Sequence, residues 1–591
     1  MRKRRVLLVY PEIPTTYWSF KYALSFVGKK SVLPPLGLIT IAAMLPEAWE
    51  CRLVDMNAEV LDDDSIRWAD MVFVSAMLVQ RASFEDVVAR CNRAGRKIVA
   101  GGPFPTAMHD EIEGVDHFVL NEAEVTLPRF LHDLEKGAPR GVYSDETKPD
   151  ITSTPVPRFD LLNIDYYSTV SLQYSRGCPF NCEFCDIIEM FGRKPRTKTP
   201  EQFLGEMEAL YATDFRGPLF IVDDNFIGNK QSVKALLREV IPWQKEHGYP
   251  FSLSTEASIN LAEDDELLDL MVDAGFMMAF VGIETPVEES LSLTGKNQNL
   301  KSDMLGSVRR IQERGIEVTG GFIIGFDTDP EDIFDRQIRF IRDSAIPTAM
   351  LGLLMALPNT RLYRRLEAEG RLLGLSTGNN THDVEMNFIP KLPRRMLEDG
   401  YRRVIGEIYS PRTYFDRCLE LLRRYPAKKK VNVKKTSYRG KNRLLSLLEA
   451  RALLASLLRQ GFSWYGREYF RFLLKSLFIN PSRFPQTVGM AIEGHHFLTM
   501  TAEILAAGEF GRYLEEAGNL AGGDERAGIA NGSGVLMRPA AQWKRNVGAE
   551  IAARYGKLSA GARKYADGML ARYERKADVV GRTTERRAGG R

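Results

Sequence analysis

In the first 135 residues, short runs of consecutive apolar positions alternate with longer stretches of helical period. Val6–Tyr10, Cys51–Asp55, Met71–Ser75, Lys97–Ala100 and His117–Leu120 read as strands, and Gly37–Leu45, Phe84–Ala94 and Glu124–Leu134 as helices between them. Strands with no polar alternation are buried on both faces, which predicts a parallel sheet covered by helices. Residues 136–168 are rich in Pro, Asp, Ser and Thr and read as a linker. A second β/α series runs from about 169 to 365, with strands expected at Ser171–Ser175, Leu219–Asp223, Phe251–Glu256, Met277–Ile283, Val318–Ile324 and Ala349–Leu357. Six β/α units are too few to close an eightfold barrel, so a partial (β/α)6 barrel, open on one side, is expected. Beyond 385 the pattern becomes helical and rich in Arg and Leu; from 511 Gly, Ala and Arg accumulate, and the last fifteen or so residues read as disordered. The expected division of this α/β chain is therefore 1–140, a linker 141–168, a core 169–384, a helical region 385–510 and a low-complexity, partly disordered tail 511–591.

Composition narrows the function little. A net charge of +3 over 591 residues is too small to point to nucleic acid. No apolar run reaches the length of a membrane-spanning helix. Met1-Arg-Lys-Arg-Arg is followed by a short apolar run ended by Pro11, which reads as a first strand and not as a secretion signal, so a cytoplasmic location is expected. Six cysteines cannot form a disulfide framework in a chain of this size. Cys51, Cys91 and Cys418 are scattered and read as small buried hydrophobes.

The other three lie together in Ser175-Arg-Gly-Cys178-Pro-Phe-Asn-Cys182-Glu-Phe-Cys185. This CxxxCxxC run supplies three thiolates from one loop, enough for three irons of a [4Fe–4S] cubane and leaving the fourth open to an exogenous ligand. A structural zinc site wants four ligands, and no fourth is at hand: His109, His117 and His132 lie in the other β/α series, and His247 is remote. The loop follows the first strand of its series, at the strand end where barrel active sites sit. RGCPFNCEFC resembles the radical S-adenosylmethionine (SAM) signature, with Phe184 beside the last cysteine. That resemblance implies a [4Fe–4S] cluster on Cys178, Cys182 and Cys185 whose open iron chelates SAM, reductive cleavage of SAM to a 5′-deoxyadenosyl radical, and an electron donor such as a flavodoxin or ferredoxin. It further implies SAM contacts from Phe184, from Asp223, Asp224 and Asn225 after the second strand, from Glu284 after the fourth, and from Gly321 and Gly325 around the fifth. Glu206 and Glu256 read as solvated or salt-bridged carboxylates.

The first β/α series suits a flavodoxin-like (Rossmann-like) unit. Leu33-Pro-Pro-Leu-Gly-Leu38, Val54-Asp55, Ala100-Gly-Gly-Pro-Phe-Pro-Thr106 and Asn121-Glu-Ala-Glu124 resemble the cobalamin-binding domain of B12-dependent radical SAM enzymes. The resemblance implies cobalamin contacts from Pro35, Gly37, Ser75, Gly101, Gly102, Thr106 and Glu122. The glycine pair after the fourth strand is expected to let the backbone approach a bulky ligand. The Asp-x-His-x-x-Gly motif that ligates cobalt in mutases is missing, so base-off cobalamin without a protein imidazole is expected.

The helical region resembles the C-terminal domain of cobalamin-type radical SAM proteins, a group that includes hopanoid C-2 methylases. Residues 428–443 carry eight Lys or Arg and no acid, and Leu444–Ile479 is apolar and aromatic. Residues 428–479 read first as a solvated basic loop before a core-facing helix, with a peripheral contact at the inner face of a membrane as the alternative. The aromatic set Phe462, Trp464, Tyr465, Tyr469, Phe470 and Phe472 has helical spacing that favours core packing over stacking on nucleic acid. The expected function is cobalamin-dependent methylation of an unactivated carbon in a small hydrophobic substrate of lipid or isoprenoid type. The alternatives are a cobalamin-dependent radical cyclase or rearranging enzyme, a radical SAM methylthiotransferase, and an iron–sulfur electron carrier.

Overall fold

Val6 and Leu8 of the first strand face one way, Leu7 and Val9 the other, and all four are fully buried. Leu7 and Val9 join Val72, Phe84 and Ile98 in one core, while Val6 and Leu8 join Leu38, Phe73 and Phe130 in a second. A strand with two apolar faces needs a cover on each, and helices supply both. The computed structural model describes residues 3–381, 386–426, 447–530, 548–571 and 573–574. The first sheet holds β1 (Arg5–Tyr10), β2 (Glu50–Asp55), β3 (Met71–Ser75), β4 (Lys97–Gly101), β5 (His117–Val119) and β6 (Val142–Tyr143) in the parallel order β2-β1-β3-β4-β5-β6. The expected linker thus gives the sheet a sixth strand, because Phe118 and Leu120 donate backbone hydrogen bonds to Gly141 and Tyr143. Farther on, Ser31 bridges to Tyr167, so the segment stays stitched to the first β/α unit.

The second series opens on β7 (Val170–Leu172). The expected strand Ser171–Ser175 is broken there: Ser175–Arg176 (β8) turns away to pair antiparallel with Arg196–Thr197 (β9). Next come β10 (Gly217–Ile221), β11 (Phe251–Ala257), β12 (Phe276–Glu284), β13 (Glu317–Ile324) and β14 (Ala349–Leu353), giving the parallel order β14-β13-β12-β11-β10-β7. The edge strands β7 and β14 do not pair, and this is the open partial barrel. Side-chain caps fix where the covering helices begin: Thr199 accepts from Gln202 N ahead of Pro200–Tyr211, and Asp264 from Leu267 N ahead of Asp265–Ala274.

Met1–Tyr401 with Pro411–His496 form one compact unit, and Arg402–Ser410 with Phe497–Arg591 a second. Helices Pro411–Arg424, Leu447–Gly461 and Gly466–Ile479 belong to the first. In the second, Phe510 and Leu514 pack with Ile551 and Ala566. The tail expected from 511 therefore begins inside a helix, Phe484–Ala530, and is helical again over 548–557 and 560–571. The basic run 428–443 and the last fifteen residues lie outside the described residues. Among the described residues no helix is long and apolar enough to cross a membrane.

Candidate active site

The cysteine loop hangs from the β8–β9 hairpin, and backbone geometry sets its path. Gly177 sits at φ 93°, where a Cβ would come within 2.9 Å of the Gly192 carbonyl oxygen. Its N–H donates to Asp224 Oδ2 at 3.0 Å, and Cys178 N–H donates to Gly192 O at 3.2 Å. Farther along, Glu183 N–H donates to Thr294 O at 2.9 Å, and Gly295 (φ 74°) passes so close to Asn181 O that a Cβ would stand 2.7 Å from it. The segment after β12 thus closes over the loop.

Cys182 is buried, and Cys178 and Cys185 are half-buried. Asn225 Nδ2 lies 3.8 Å from Cys178 Sγ, and Gln298 Nε2 lies 3.9 Å from Cys182 Sγ. Burial raises the pKa of each thiol, and the neighbouring Lys296 ammonium pulls all three back towards thiolate. No group of three or more His, Cys, Asp or Glu side chains among the described residues is set to hold a single metal ion. A cubane takes one thiolate on each of three different irons, so its ligands stand farther apart than those of a mononuclear site. Three thiols on one loop beside the half-buried Lys296 ammonium fit such a cluster.

The second sheet's strand ends surround this loop with carboxyls. Asp223 accepts from Tyr174 N (2.7 Å), Ser175 N (2.8 Å) and Ser175 Oγ (2.6 Å), so both of its oxygens are spent holding the path from β7 to β8. Burial pushes its pKa up to about 7, and that of Asp224 to about 6. Asn225 Oδ1 accepts from Ser258 N at 3.2 Å. Glu284 sits at φ 64° and accepts from Lys296 Nζ at 2.6 Å; at Gly282 a Cβ would fall 2.4 Å from Glu284 Oε1, so the glycine makes room for the ion pair. Glu206 is salt-bridged to buried Lys198, as its reading allowed. Glu256 is not: no hydrogen bond or ion pair is recorded for it among the described residues. It keeps accessible surface deep inside the protein, and burial, with Asp224 and Asp223 beside it, raises its pKa to about 8. Gly321 makes room for the tip of the Phe280 ring, since a Cβ would meet Phe280 Cζ at 2.8 Å. Gly325 (φ 110°) donates its N–H to Asp329 Oδ2 at 2.8 Å. Phe184 stands 5.9 Å from the Phe326 ring and lines a cavity of about 120 Å³ with Ile323, Leu353, Leu354 and Met355.

At the first sheet the structure redistributes the expected roles. A Cβ on Gly101 would meet Val119 O at 2.7 Å, and one on Gly102 (φ 89°) would meet Ser75 Oγ at 2.4 Å. The pair is thus demanded by the protein's own packing, before any ligand is considered. Thr106 Oγ1 accepts from Asn121 N at 3.0 Å. Gly37, two residues after Pro35 at a helix start, has nothing within 4 Å of its Cβ position and faces open space. Glu122, expected to face cobalamin, is 4% exposed and bonded to Arg176 (2.9 Å) and Arg196 (2.8 Å), one on each strand of the cysteine hairpin. Glu124 also pairs with Arg176, at 2.9 Å. These ion pairs fasten the edge of the first sheet to the loop that carries the thiols, and Trp18 adds a ring contact to Phe280 at 5.2 Å. Sequence reasoning missed Arg176, Arg196, Gly282 and Lys296; of these only Arg176, next to Gly177 in the cysteine motif, carried any local signal.

Family models match three stretches: a B12 binding domain over residues 29–131, the Radical SAM superfamily over 172–341, and a Domain of unknown function (DUF4070) over 360–509. An uncharacterized methyltransferase of Synechocystis sp. is 44% identical over 499 residues, covering 84% of this chain and 91% of its own. The hopanoid C-2 methylase of Rhodopseudomonas palustris is 35% identical over 419 residues, covering 70% and 78%. Among solved structures, the radical SAM methyltransferase TsrM of Kitasatospora setae, with cobalamin and a [4Fe–4S] cluster bound, is similar at a TM-score of 0.55 and 15% identity, over 84% of this chain and 99% of its own. OxsB, a cobalamin-dependent SAM radical enzyme with aqua-cobalamin bound, is similar at 0.54 and 15%, over 85% and 83%.

Proposed function

From a chain that belongs to the cobalamin-dependent radical SAM family, we infer a methyltransferase acting on an unactivated carbon of a hydrophobic, lipid or isoprenoid-like substrate. The observation that carries this reading is the Glu122–Arg176–Arg196 set of ion pairs, which ties the first sheet's edge directly to the cysteine loop. That tie would hold a group bound at the first sheet's edge close to one bound at the cysteine loop. When bound, the cluster and SAM supply the 5′-deoxyadenosyl radical that abstracts hydrogen from substrate, and cobalamin supplies the methyl group that replaces it.

The protein's part is to bind, orient and exclude water. Cys178, Cys182 and Cys185 would each hold one iron, with Lys296 balancing the thiolate charge. Phe184, Asp224, Asn225, Glu284, Gly321 and Gly325 would line the SAM site, and Asp223 would keep the strand ends in place around it. Pro35, Gly37, Ser75, Gly101, Gly102 and Thr106 would border the cobalamin. The cavity beside Phe184, lined mostly by apolar side chains together with Asn380, and the likeness to a hopanoid methylase support a hydrophobic substrate, with electrons arriving from a flavodoxin or ferredoxin in the cytoplasm. Replacing Cys178, Cys182 and Cys185 with Ala tests the assignment. SAM cleavage should vanish while cobalamin, measured by its visible spectrum, stays bound; 5′-deoxyadenosine from the triple variant would contradict it.

A further inference from the structure

We propose that the helical hairpin Leu447–Gly461 and Gly466–Ile479 is a membrane-docking surface, seated on anionic lipid by its outer face. The second helix is apolar on two sides, and the protein uses only one of them. Tyr469, Phe472, Leu473 and Ser476 turn inward, where Phe472 stacks on Phe415 at 4.8 Å, and Ala452 packs with Ala23 and Phe26. The opposite side of the second helix carries Phe470, Leu474, Leu477 and Phe478 at spacings of four, seven and eight, all exposed. Leu454 and Leu458 continue the stripe on the first helix, and the turn between the helices presents Phe462 and Trp464. Phe462 is 89% exposed, Phe478 88% and Trp464 69%. Scattered apolar residues on a surface are ordinary; a contiguous aromatic stripe across two packed helices is not.

Charge decides which occupant this face takes. Arg451, Arg459, Arg467, Arg471 and Lys475 stand against Glu449 and Glu468 in the hairpin, a balance of five to two. Arg471 is held by Asp416 and Glu468, and Arg459 donates to Ser25 Oγ at 2.7 Å beside the Phe26 ring, whereas Arg451, Arg467 and Lys475 are exposed beside the stripe. Aromatic side chains with Trp at a rim, flanked by Arg and Lys, suit insertion to headgroup depth in an anionic bilayer, and a net positive face repels a second copy of itself. The surface gives a purpose to the hydrophobic-substrate reading, on which it rests for its biological role, but it binds or fails to bind without any turnover.

Flotation of the full-length protein with vesicles of phosphatidylcholine alone, or with added phosphatidylglycerol, tests it. The wild type should float with the anionic vesicles and be released by high salt. Phe462→Ser, Trp464→Ser and Phe478→Ser together should cut the floating fraction about tenfold or more at unchanged thermal unfolding, because all three side chains are already in solvent. Arg451→Gln, Arg467→Gln and Lys475→Gln should weaken it several-fold and flatten its salt dependence. A wild type that floats with neither vesicle, or an aromatic variant that floats as well as the wild type, overturns the proposal. So does a dimer by light scattering that the aromatic substitutions dissolve, since it would assign the face to a second copy. None of these readouts needs cluster, cobalamin or substrate, so their failure is separate from failure of the methyltransferase reading.

Discussion

The two parallel sheets end differently. Where the first sheet is open to a ligand its edge is small and neutral: Ser75, Gly101, Gly102 and Thr106, with Gly37 facing empty space. Its two buried acids are spent on the protein itself, Asp55 on Asn57 and Tyr167 and Glu122 on the cysteine hairpin. The second sheet instead ends in Asp223, Asp224, Glu256 and Glu284, with Lys296 among them. A neutral edge suits a large flat group held by shape. A charged, enclosed one suits a small zwitterion and a thiolate-bound cluster, whose charges need fixed partners. In the proposed function, one architecture would serve two cofactors through what stands at its strand ends.

That contrast breaks most severely at the joint between the sheets. Glu122→Ala leaves Arg176 and Arg196, 11% and 13% exposed at their side chains, without the carboxylate they share. Loss of one partner of a buried ion pair should cost about 3–5 kcal/mol in chemical unfolding. Activity should uncouple: 5′-deoxyadenosine should still form while methylated product falls by an order of magnitude or more, and parallel losses of both would contradict the joint.

The neutral edge is sharpened by two glycines of opposite surroundings. Gly102→Ala puts a methyl against Ser75 Oγ in a left-handed backbone and should destabilise by about 1–3 kcal/mol with or without cobalamin. Gly37→Ala meets no protein atom, so apo stability should hold or rise by about 0.5–1 kcal/mol, as expected for Ala in a helix. Cobalamin affinity should fall all the same. Unchanged affinity would move the ligand away from this helix start.

The smallest effect on activity is expected at the opposite edge of the second sheet. Glu317, at the start of β13, faces Glu493 among Tyr414, Cys418, Tyr425 and Arg417, and burial with the Glu493 charge raises its pKa to about 8; burial raises Glu493 to about 7. Both folded values exceed the ordinary 4.5. The folded state therefore binds more protons in that interval, and stability should be greatest below 4.5 and decline as pH rises through 7 and 8. Glu317→Gln should flatten that decline and leave SAM cleavage unchanged. A variant with the wild-type slope would show that the pair does not govern it.

Much of this was legible in the chain. Both β/α series, the open barrel and the three-cysteine loop follow from local patterns: apolar runs, helical period and the spacing of thiols. What stayed hidden depends on contacts between distant residues. β6 is two residues long and exists because β5 offers it an edge. Lys296 matters because a chain reversal lays it beside Glu284, twelve residues away, over thiols more than a hundred residues away. The packing demand on Gly101 and Gly102 was hidden because Ser75 and Val119, which crowd them, lie on neighbouring strands. The aromatic set after 460 has two stripes at helical spacing, and periodicity alone does not say which stripe is covered: Tyr465, Tyr469 and Phe472 are buried, while Phe462, Trp464 and Phe470 are exposed.

The central claim is that the two cofactor edges serve one reaction, in which a SAM-derived radical on substrate receives a methyl group carried by cobalamin. Anaerobic turnover with methyl-deuterated SAM, an electron donor and a hopanoid or total lipid extract tests it directly. Methyl transfer predicts product heavier by a labelled methyl, with one 5′-deoxyadenosine and one S-adenosylhomocysteine formed for each. Product without label, formed with 5′-deoxyadenosine and no matching S-adenosylhomocysteine, would contradict the claim and assign the same architecture to radical cyclisation or rearrangement.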